Sequence, residues 1–415
     1  MQSNLILYST TTAAGRFAGM VGCYSPTAPP HYSTKSMHST GETAGAQGKI
    51  AFANQLRGIA VLCVILVHYF GVYLNEREMV ARYIFAPAAP APSHYYLRHI
   101  VPPTFNFGPF GVALFFLISG FVIPFSLEKM GRGRFLLARV LRIYPTYWIA
   151  SAILLGGLYL SSRYWGLPFE VDLKQLWANL FLVNAELGLP SIDTVNWTLS
   201  VEVKFYLAAV LLWPLIRRAF VCSLLGLAAL LLAMMTWWPA SWNDAVISMD
   251  YLKVECMFCC YLFIGTMFHF AIKQQISPFR LAAATAGMFA LFFLMWRKTV
   301  LAEQFWEAPA NYGYALLVFA ACYAARARFR PLRVLDFFAA ISYPLYLVHA
   351  LLGYALIHVM MDQGLPFLVA AAFALLCVTG LATVLHYLVE MPTANAGKAL
   401  GKRSTARTPP SIGPA

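Results

Sequence analysis

Apolar runs of about 20 residues recur from Ala51 almost to the end of the chain, and a helical run of that length matches the thickness of a bilayer. Only 11% of the residues are charged, whereas soluble globular chains carry about 25%. Because lipid offers no partner for unpaired backbone groups, helices are the expected structure for such runs. The sequence therefore predicts an all-α fold, a transmembrane bundle of about ten spanning helices, at residues 51–73, 108–127, 143–161, 197–216, 219–237, 256–272, 279–296, 311–325, 335–357 and 366–388.

The regions flanking these spans have a different composition. Residues 1–48 are rich in Ser, Thr, Gly and Ala and lack the charged start of a signal peptide, so we predict a disordered tail, with a true start at Met37 as the alternative. We predict one membrane domain over 49–392 and a second disordered, basic tail over 393–415. The apolar stretch 176–189 is too short to span a bilayer, and we predict an interfacial or re-entrant helix there.

The distribution of basic residues predicts the orientation of the bundle. With the N-terminus in the cytoplasm, the cytoplasmic connections carry 17 Lys and Arg residues and the outer connections carry 8. This excess follows the positive-inside rule and predicts that both termini are cytoplasmic. It also explains the net charge of +13 through anionic lipid and cytosolic anions, so no nucleic-acid partner is expected.

We expect neither a metal ion nor a permanently bound cofactor. Cys256, Cys259 and Cys260 form the one cluster among eight cysteines, and this cluster lacks the second pair of ligands that a structural zinc site needs. The glycines of the basic segment 131–134 predict a turn rather than a phosphate-binding loop.

Polar side chains inside the predicted spans are the candidates for chemistry, because placing them in lipid is costly. Arg57 and His68 lie eleven residues apart in the first span, which is almost three turns and about 16 Å along one helix face. Arg57 is then near the cytoplasmic end and His68 is farther out. This arrangement suits a donor with a charged head and a long arm, such as coenzyme A. The alternatives are a snorkelling anchor for Arg57 and a packing histidine for His68.

Arg139 and Arg142 precede the third span and, being three residues apart, are expected to share a helix face. Guanidinium groups match the geometry of phosphates, so this pair is a candidate clamp for the phosphates of CoA. The alternative is that both arginines only determine topology.

Two further titratable residues fall near the predicted depth of His68. Glu202 is expected about two turns below the outer surface in the fourth span, and His349 lies in the middle to outer part of the ninth. A carboxylate at this depth could orient the imidazole or bind hydroxyl groups of an acceptor. The alternative for Glu202 is an ion pair with Lys204 or with another helix.

The segments that contain these residues resemble the motifs of the acyltransferase family 3 membrane proteins. Arg57 to His68 is similar to the family's Arg-x10-His signature, and the other segments follow in the family's order. They are the Gly-rich segment 107–121, the basic segment 139–147, the Trp-Thr-Leu-x-x-Glu segment 197–206, and the late segments 342–349 and 390–392. The resemblance covers about Gly48 to Pro392.

This resemblance implies a ten-helix bundle in a bacterial inner membrane that uses acyl-CoA, in the first instance acetyl-CoA, to acylate sugar hydroxyls of polysaccharides, lipids or antibiotics. It implies roles for Arg57, His68, Arg139, Arg142 and Glu202. Some members of the family carry a second, secreted domain after the bundle. Because about 23 residues follow Pro392, we expect no such domain here.

Our mechanistic hypothesis is that neutral His68 removes the proton of the acceptor hydroxyl, which then attacks the thioester. An acyl-histidine intermediate is the open variant. We predict catalytic roles for His68, Glu202 and Arg57, donor binding by Arg57, Arg139 and Arg142, and acceptor binding by Trp197, Ser200, Tyr346 and His349. The rival hypothesis is a proton-coupled transporter or flippase of a glycan or lipid precursor. The acceptor, the acyl chain length and the oligomeric state stay open.

Overall fold

The computed structural model describes residues 40–88, 105–237 and 248–402, which are predominantly helical and contain no β-strand. The helices are α1 (Thr40–Val67), α2 (Tyr73–Asn75), α3 (Arg77–Tyr83), α4 (Phe107–Lys129), α5 (Arg132–Trp165), α6 (Leu173–Leu180), α7 (Asn196–Thr236), α8 (Met249–Ile272), α9 (Pro278–Trp296), α10 (Glu307–Ala324), α11 (Arg333–Ala340), α12 (Ser342–Val348), α13 (Leu351–Asp362), α14 (Phe367–Leu385) and α15 (Met391–Lys402). Two π-helical turns follow α1 and α14, at His68–Val72 and His386–Glu390. The predicted all-α fold is confirmed. Of the two predicted tails, residues 40–48 and 393–402 are helical, and the rest lies outside the described residues.

The length and apolar character of these helices fit a membrane. In the described part of the chain, seven helices could cross a bilayer, or eight if the bent pair α12 and α13 counts as one span. Large apolar side chains such as Leu211, Leu317 and Leu376 are exposed on the helix surfaces, where lipid can contact them. The chain therefore has the architecture of a multi-pass membrane protein.

The predicted spans 197–216 and 219–237 both fall on α7, where two helices meet at a kink with non-helical backbone at Ala219, at the predicted break. Two other predicted elements differ from the structure. The predicted span 335–357 is divided among α11, α12 and α13, with a bend of 54° between the last two. The predicted helix over 176–189 is replaced by the shorter and earlier α6. Hydropathy reports how apolar a segment is and not whether its backbone bends, so the bend between α12 and α13 carried no signal.

Close backbone contacts hold α4 in place at the centre of the bundle. A Cβ atom on Gly120 of α4 would overlap the carbonyl oxygen of Leu262, and one on Gly265 of α8 would overlap that of Leu117. Thr266 donates a hydrogen bond from Oγ1 to the Gly120 carbonyl across the same crossing, at 3.1 Å. Small residues at such crossings let membrane helices pack backbone to backbone. This crossing positions the face of α4 that forms one wall of the site.

Side-chain amides hold the loop 181–195 against the start of α7. Asn196 Nδ2 donates to Asn179 Oδ1 at 3.0 Å, and the Tyr147 hydroxyl donates to the Asn179 carbonyl at 2.8 Å. Asp193 of this loop is buried, and burial raises the pKa of its carboxyl to about 7 although backbone N–H groups of Thr194 and Val195 oppose the shift. The loop thereby fixes where α7 begins.

Candidate active site

A central cavity lies between α1, α4, α5, α7 and α12 and contains about 740 Å³ of empty space, part of it open to the surroundings. Its apolar lining residues are Val112, Phe115, Phe116, Ile143 and Leu199. Its polar lining residues are Arg57, Ser119, Arg142, Thr198, Glu202, Tyr206, Ser342, Tyr343 and Tyr346. Apolar walls with a few convergent polar groups are typical of sites that bind small molecules.

Glu202 is the carboxylate of the central cavity. Its Oε1 accepts hydrogen bonds from Ser119 Oγ at 2.9 Å and from the Tyr206 hydroxyl at 2.5 Å. Lys204, the alternative partner, instead places its Nζ 2.5 Å from Oε1 of Glu255 on α8. Glu202 is therefore free of that ion pair, and its hydrogen bonds hold it on the cavity wall.

A second cavity, the vestibule, contains about 800 Å³ of empty space and shares Arg57, Arg142 and Ser342 with the central cavity. Its remaining lining comes from α1, α11, the second π-helical turn and α15. These residues are Asn54, Asp336, Ala339, Ala340, His386, Glu390, Met391, Ala394, Asn395 and Lys398. The two arginines thus stand where the cavities meet, so a ligand that extends from one cavity into the other passes both guanidinium groups.

The two arginines of the predicted clamp have different surroundings. Arg142 lines both cavities, with its Nε 3.9 Å from Oε1 of Glu390. Arg139 lines neither cavity, and its guanidinium lies over the rings of Phe135 and Tyr206, at 5.1 and 5.6 Å from their centroids. Three residues turn an α-helix by about 300°, so the two side chains are about 60° apart on one helix face. Their guanidinium groups nevertheless have different contacts.

Neither the imidazole of His68 nor that of His349 lines one of the two cavities. Their ring centroids are 4.8 Å apart, with the rings nearly perpendicular. His68 is the first residue of the π-helical turn after α1, and its Nδ1 is 2.5 Å from the hydroxyl of Tyr354. Tyr346 accepts a hydrogen bond from Thr198 Oγ1 at 2.8 Å and has its ring 5.7 Å from that of His349.

The other two predicted acceptor-binding residues point elsewhere. Ser200 Oγ donates toward the Leu182 carbonyl and Glu255 Oε1, each at 3.0 Å, so it ties the loop to α7 and α8. Trp197 packs on Phe258, with 5.4 Å between ring centroids, and it does not line the cavity. Of the four predicted acceptor contacts, Tyr346 alone lines the central cavity.

Sequence reasoning also missed groups that the structure brings to the site. Tyr206 follows Glu202 by four residues, and this helical spacing was a usable signal for their hydrogen bond. No such signal linked Ser119 to Glu202, because their helices are far apart in the chain. The pairing of His386 with Glu390, 2.8 Å between Nδ1 and Oε2, has four-residue spacing within a π-helical turn. In the described residues no group of His, Cys, Asp or Glu is arranged to hold a metal ion.

Comparison with known proteins places this arrangement in a family. A family model described as an acyltransferase domain matches residues 50–387, which is more than half of the chain. The chain belongs to acyltransferase family 3. This acyltransferase-family protein is 29% identical over 201 residues to the exopolysaccharide production protein ExoZ of Rhizobium meliloti (strain 1021), a match that covers 45% of this chain and 60% of ExoZ.

Two further relatives of the acyltransferase-family protein match shorter segments. Nodulation protein 10 of Rhizobium leguminosarum bv. viciae is 31% identical over 124 residues, 26% of this chain and 34% of that protein. Acyltransferase MdmB of Streptomyces mycarofaciens is 33% identical over 116 residues, 27% of this chain and 30% of MdmB. The three matches therefore span between 30% and 60% of the relatives' own lengths. No solved structure is significantly similar to the chain.

Proposed function

We propose that this protein transfers an acyl group, in the first instance acetyl, from acyl-CoA to a hydroxyl of a sugar-containing acceptor such as a polysaccharide or glycolipid. Family membership supports the acyl transfer, and the name of the ExoZ relative, an exopolysaccharide production protein, supports the class of acceptor. The observation that carries the proposal is the pair of cavities that meet at Arg57 and Arg142.

The vestibule suits the nucleotide end of the donor. Arg57, Arg142 and Lys398 present cationic groups to it, and guanidinium and ammonium groups bind phosphate oxygens well. The central cavity beyond them has an apolar wall on α4 and the hydrogen-bonded carboxylate of Glu202. The uncharged arm and the thioester of acyl-CoA fit this second environment.

We assign the acid–base chemistry of the transfer to the imidazoles of His68 and His349. A histidine suits this step because its ordinary pKa lies near neutrality, so it can both take and return a proton. The sequence-based hypothesis places the base at His68. Glu202 and Tyr346, which line the cavity on the way to the imidazoles, would orient the acceptor and the acyl group.

We propose ten membrane crossings with both termini in the cytoplasm of a bacterial inner membrane. Besides the seven long helices and the bent pair, α10 is an 18-residue apolar helix. At 1.5 Å per residue α7 is about 60 Å long, twice the bilayer core, so we divide it at Ala219 into two crossings. In this orientation Lys398 and the vestibule face the cytosol, where acyl-CoA is available.

The proposal is tested with the purified full-length protein in lipid nanodiscs, radiolabelled acetyl-CoA, and polysaccharide and lipid-linked sugars extracted from a strain that lacks the gene. We expect label in an alkali-labile ester and an equal amount of released CoA thiol. His68→Ala should lower the rate by at least 100-fold. In sealed proteoliposomes, movement of the acceptor across the bilayer without consumption of acetyl-CoA would favour the transporter hypothesis and reject ours.

A further inference from the structure

The backbone around His349 fixes which ring nitrogen carries the hydrogen in its neutral imidazole. His349 lies at the break between α12 and α13, with no exposed side-chain surface. Its Nδ1 is 2.9 Å from the carbonyl oxygen of Tyr346 and 3.2 Å from that of Leu345. A carbonyl oxygen can only accept a hydrogen bond, so Nδ1 carries the hydrogen. In a neutral imidazole the lone pair is then on Nε2.

The Nε2 atom of His349 is a buried acceptor for which the described residues provide no hydrogen-bond partner. Leaving such an atom unsatisfied costs about 1–3 kcal/mol, and folded proteins generally avoid it. The two carbonyls hold the ring in place, so the imidazole cannot turn to relieve this cost without losing both bonds. A reactant hydroxyl would supply the missing donor.

His68 differs from His349 in this respect. Its Nδ1 is 2.5 Å from the Tyr354 hydroxyl, which can either donate or accept, so this contact does not select one tautomer of His68. The two imidazole rings are nearly perpendicular with centroids 4.8 Å apart, and the ring of His349 is 5.7 Å from that of Tyr346. In the neutral pair, Nε2 of His349 is therefore a proton acceptor, whereas His68 can either donate or accept a proton.

Building on the proposed acyl transfer, we propose that His349, through Nε2, is the general base that takes the proton of the acceptor hydroxyl. The hydroxyl oxygen then forms a bond to the thioester carbonyl carbon, the carbon–sulfur bond breaks, and the thiolate of CoA leaves. The proton on Nε2 passes to the thiolate sulfur, so the products are the ester and CoA thiol, and His349 is again neutral. His68, whose ring centroid is 4.8 Å from that of His349, remains required as the second imidazole of the pair.

Tyr346 controls the approach to His349 in this assignment. Its side chain lines the central cavity, and its hydrogen bond to Thr198, 2.8 Å between the oxygens, keeps the ring between the cavity and the imidazole. In this assignment the acceptor hydroxyl reaches Nε2 when the Tyr346 side chain rotates away from Thr198 and this hydrogen bond breaks.

The test compares His349→Asn and His349→Gln with the parent in the acetyl-transfer assay described above. The Asn side chain keeps an amide donor near the position of Nδ1 for the two carbonyls and removes Nε2, whereas Gln places an amide near Nε2. We expect each to lower kcat by at least 100-fold, the usual contribution of a general base, while the affinity for acetyl-CoA changes less than about twofold. His349→Gly should regain at least tenfold of the lost rate when free imidazole is added.

His358 provides the matched control, because it is another buried histidine on α13 and its Nδ1 pairs with the Tyr73 hydroxyl at 3.2 Å. His358→Asn should keep kcat within about threefold of the parent. A His349→Asn protein that binds acetyl-CoA normally and keeps kcat within a few-fold of the parent would overturn the assignment. If the Asn protein does not fold, the same result for His349→Gln would overturn it. A parent protein that binds acetyl-CoA but transfers no acetyl group would instead reject the proposed function itself.

Discussion

The different surroundings of Arg139 and Arg142 make a sharp prediction for donor binding. Arg142 lines both cavities and lies 3.9 Å from Glu390, beyond hydrogen-bond distance, so its guanidinium can turn to a phosphate at little cost. A charge-assisted hydrogen bond contributes about 1.5–3 kcal/mol. Removal of this side chain should then weaken donor binding about 10- to 150-fold, at 1.4 kcal/mol for each factor of ten.

Arg139→Ala is the matched control, one helical turn away on the same helix. The Arg139 guanidinium stacks over Phe135 and Tyr206 and lines neither cavity, so its loss should change the affinity for acetyl-CoA less than about threefold. Arg142→Lys should fall between the parent and Arg142→Ala, because it keeps the charge and loses the planar fork.

Isothermal titration calorimetry of each variant in nanodiscs with acetyl-CoA measures these affinities. The titrations are repeated with dephospho-CoA, which lacks the 3′-phosphate. If Arg142 binds that phosphate, Arg142→Ala should weaken the binding of dephospho-CoA much less than that of acetyl-CoA. The reasoning fails if Arg139→Ala weakens binding as much as Arg142→Ala, or if neither variant changes the dissociation constant.

Two further predictions concern stability. Gly265→Ala should markedly lower the thermal unfolding temperature of the detergent-solubilised protein, because its Cβ would overlap the Leu117 carbonyl at the α4–α8 crossing. The control Gly156→Ala has no neighbouring atom within 4 Å and should be neutral or slightly stabilising. Equal unfolding temperatures for the two variants would contradict this packing. Asp193→Asn should unfold at a higher temperature than the parent at pH 8 and at the same temperature near pH 4. The folded pKa of about 7 lies above the unfolded value of about 3.9, so ionisation removes stability as the pH rises between them, and a difference that does not depend on pH would refute this account.

Much of the fold was available from the sequence because the dominant constraint is simple. Apolar runs long enough to cross a bilayer must be helical, and the quoted motifs point to the family that residues 50–387 match. The break at Ala219 was also available, because Arg217 and Arg218 interrupt the apolar pattern just before it. The bend after Val348 was not, because hydropathy stays high on both sides of it.

The candidate site was predictable in its residue types more than in its contacts. Arg57 and Glu202 were identified as buried charges, and both line the central cavity. The distinction between Arg142 and Arg139 depends on about 60° of rotation around α5 and on what packs against each face, which spacing in one sequence does not reveal. The 4.8 Å approach of His68 to His349 joins helices that lie about 280 residues apart in the chain, so depth estimates could suggest this proximity without fixing it.

The break in the ninth predicted span connects the fold to the chemistry. Helix α12 ends at Val348, where the backbone N–H of His349 still donates to the Leu345 carbonyl at 3.0 Å, and the carbonyls beyond this last bond need other donors. The His349 side chain donates to two of the carbonyls in that last turn, and the Tyr69 hydroxyl donates to the carbonyl of His349 itself at 3.1 Å. The bend is therefore stabilised by the same hydrogen bonds that place the proton on Nδ1. Because a straight helix would pair the Tyr346 carbonyl with a backbone N–H, the bend makes this carbonyl available to the Nδ1 hydrogen of His349, and the lone pair of the neutral imidazole is then on Nε2.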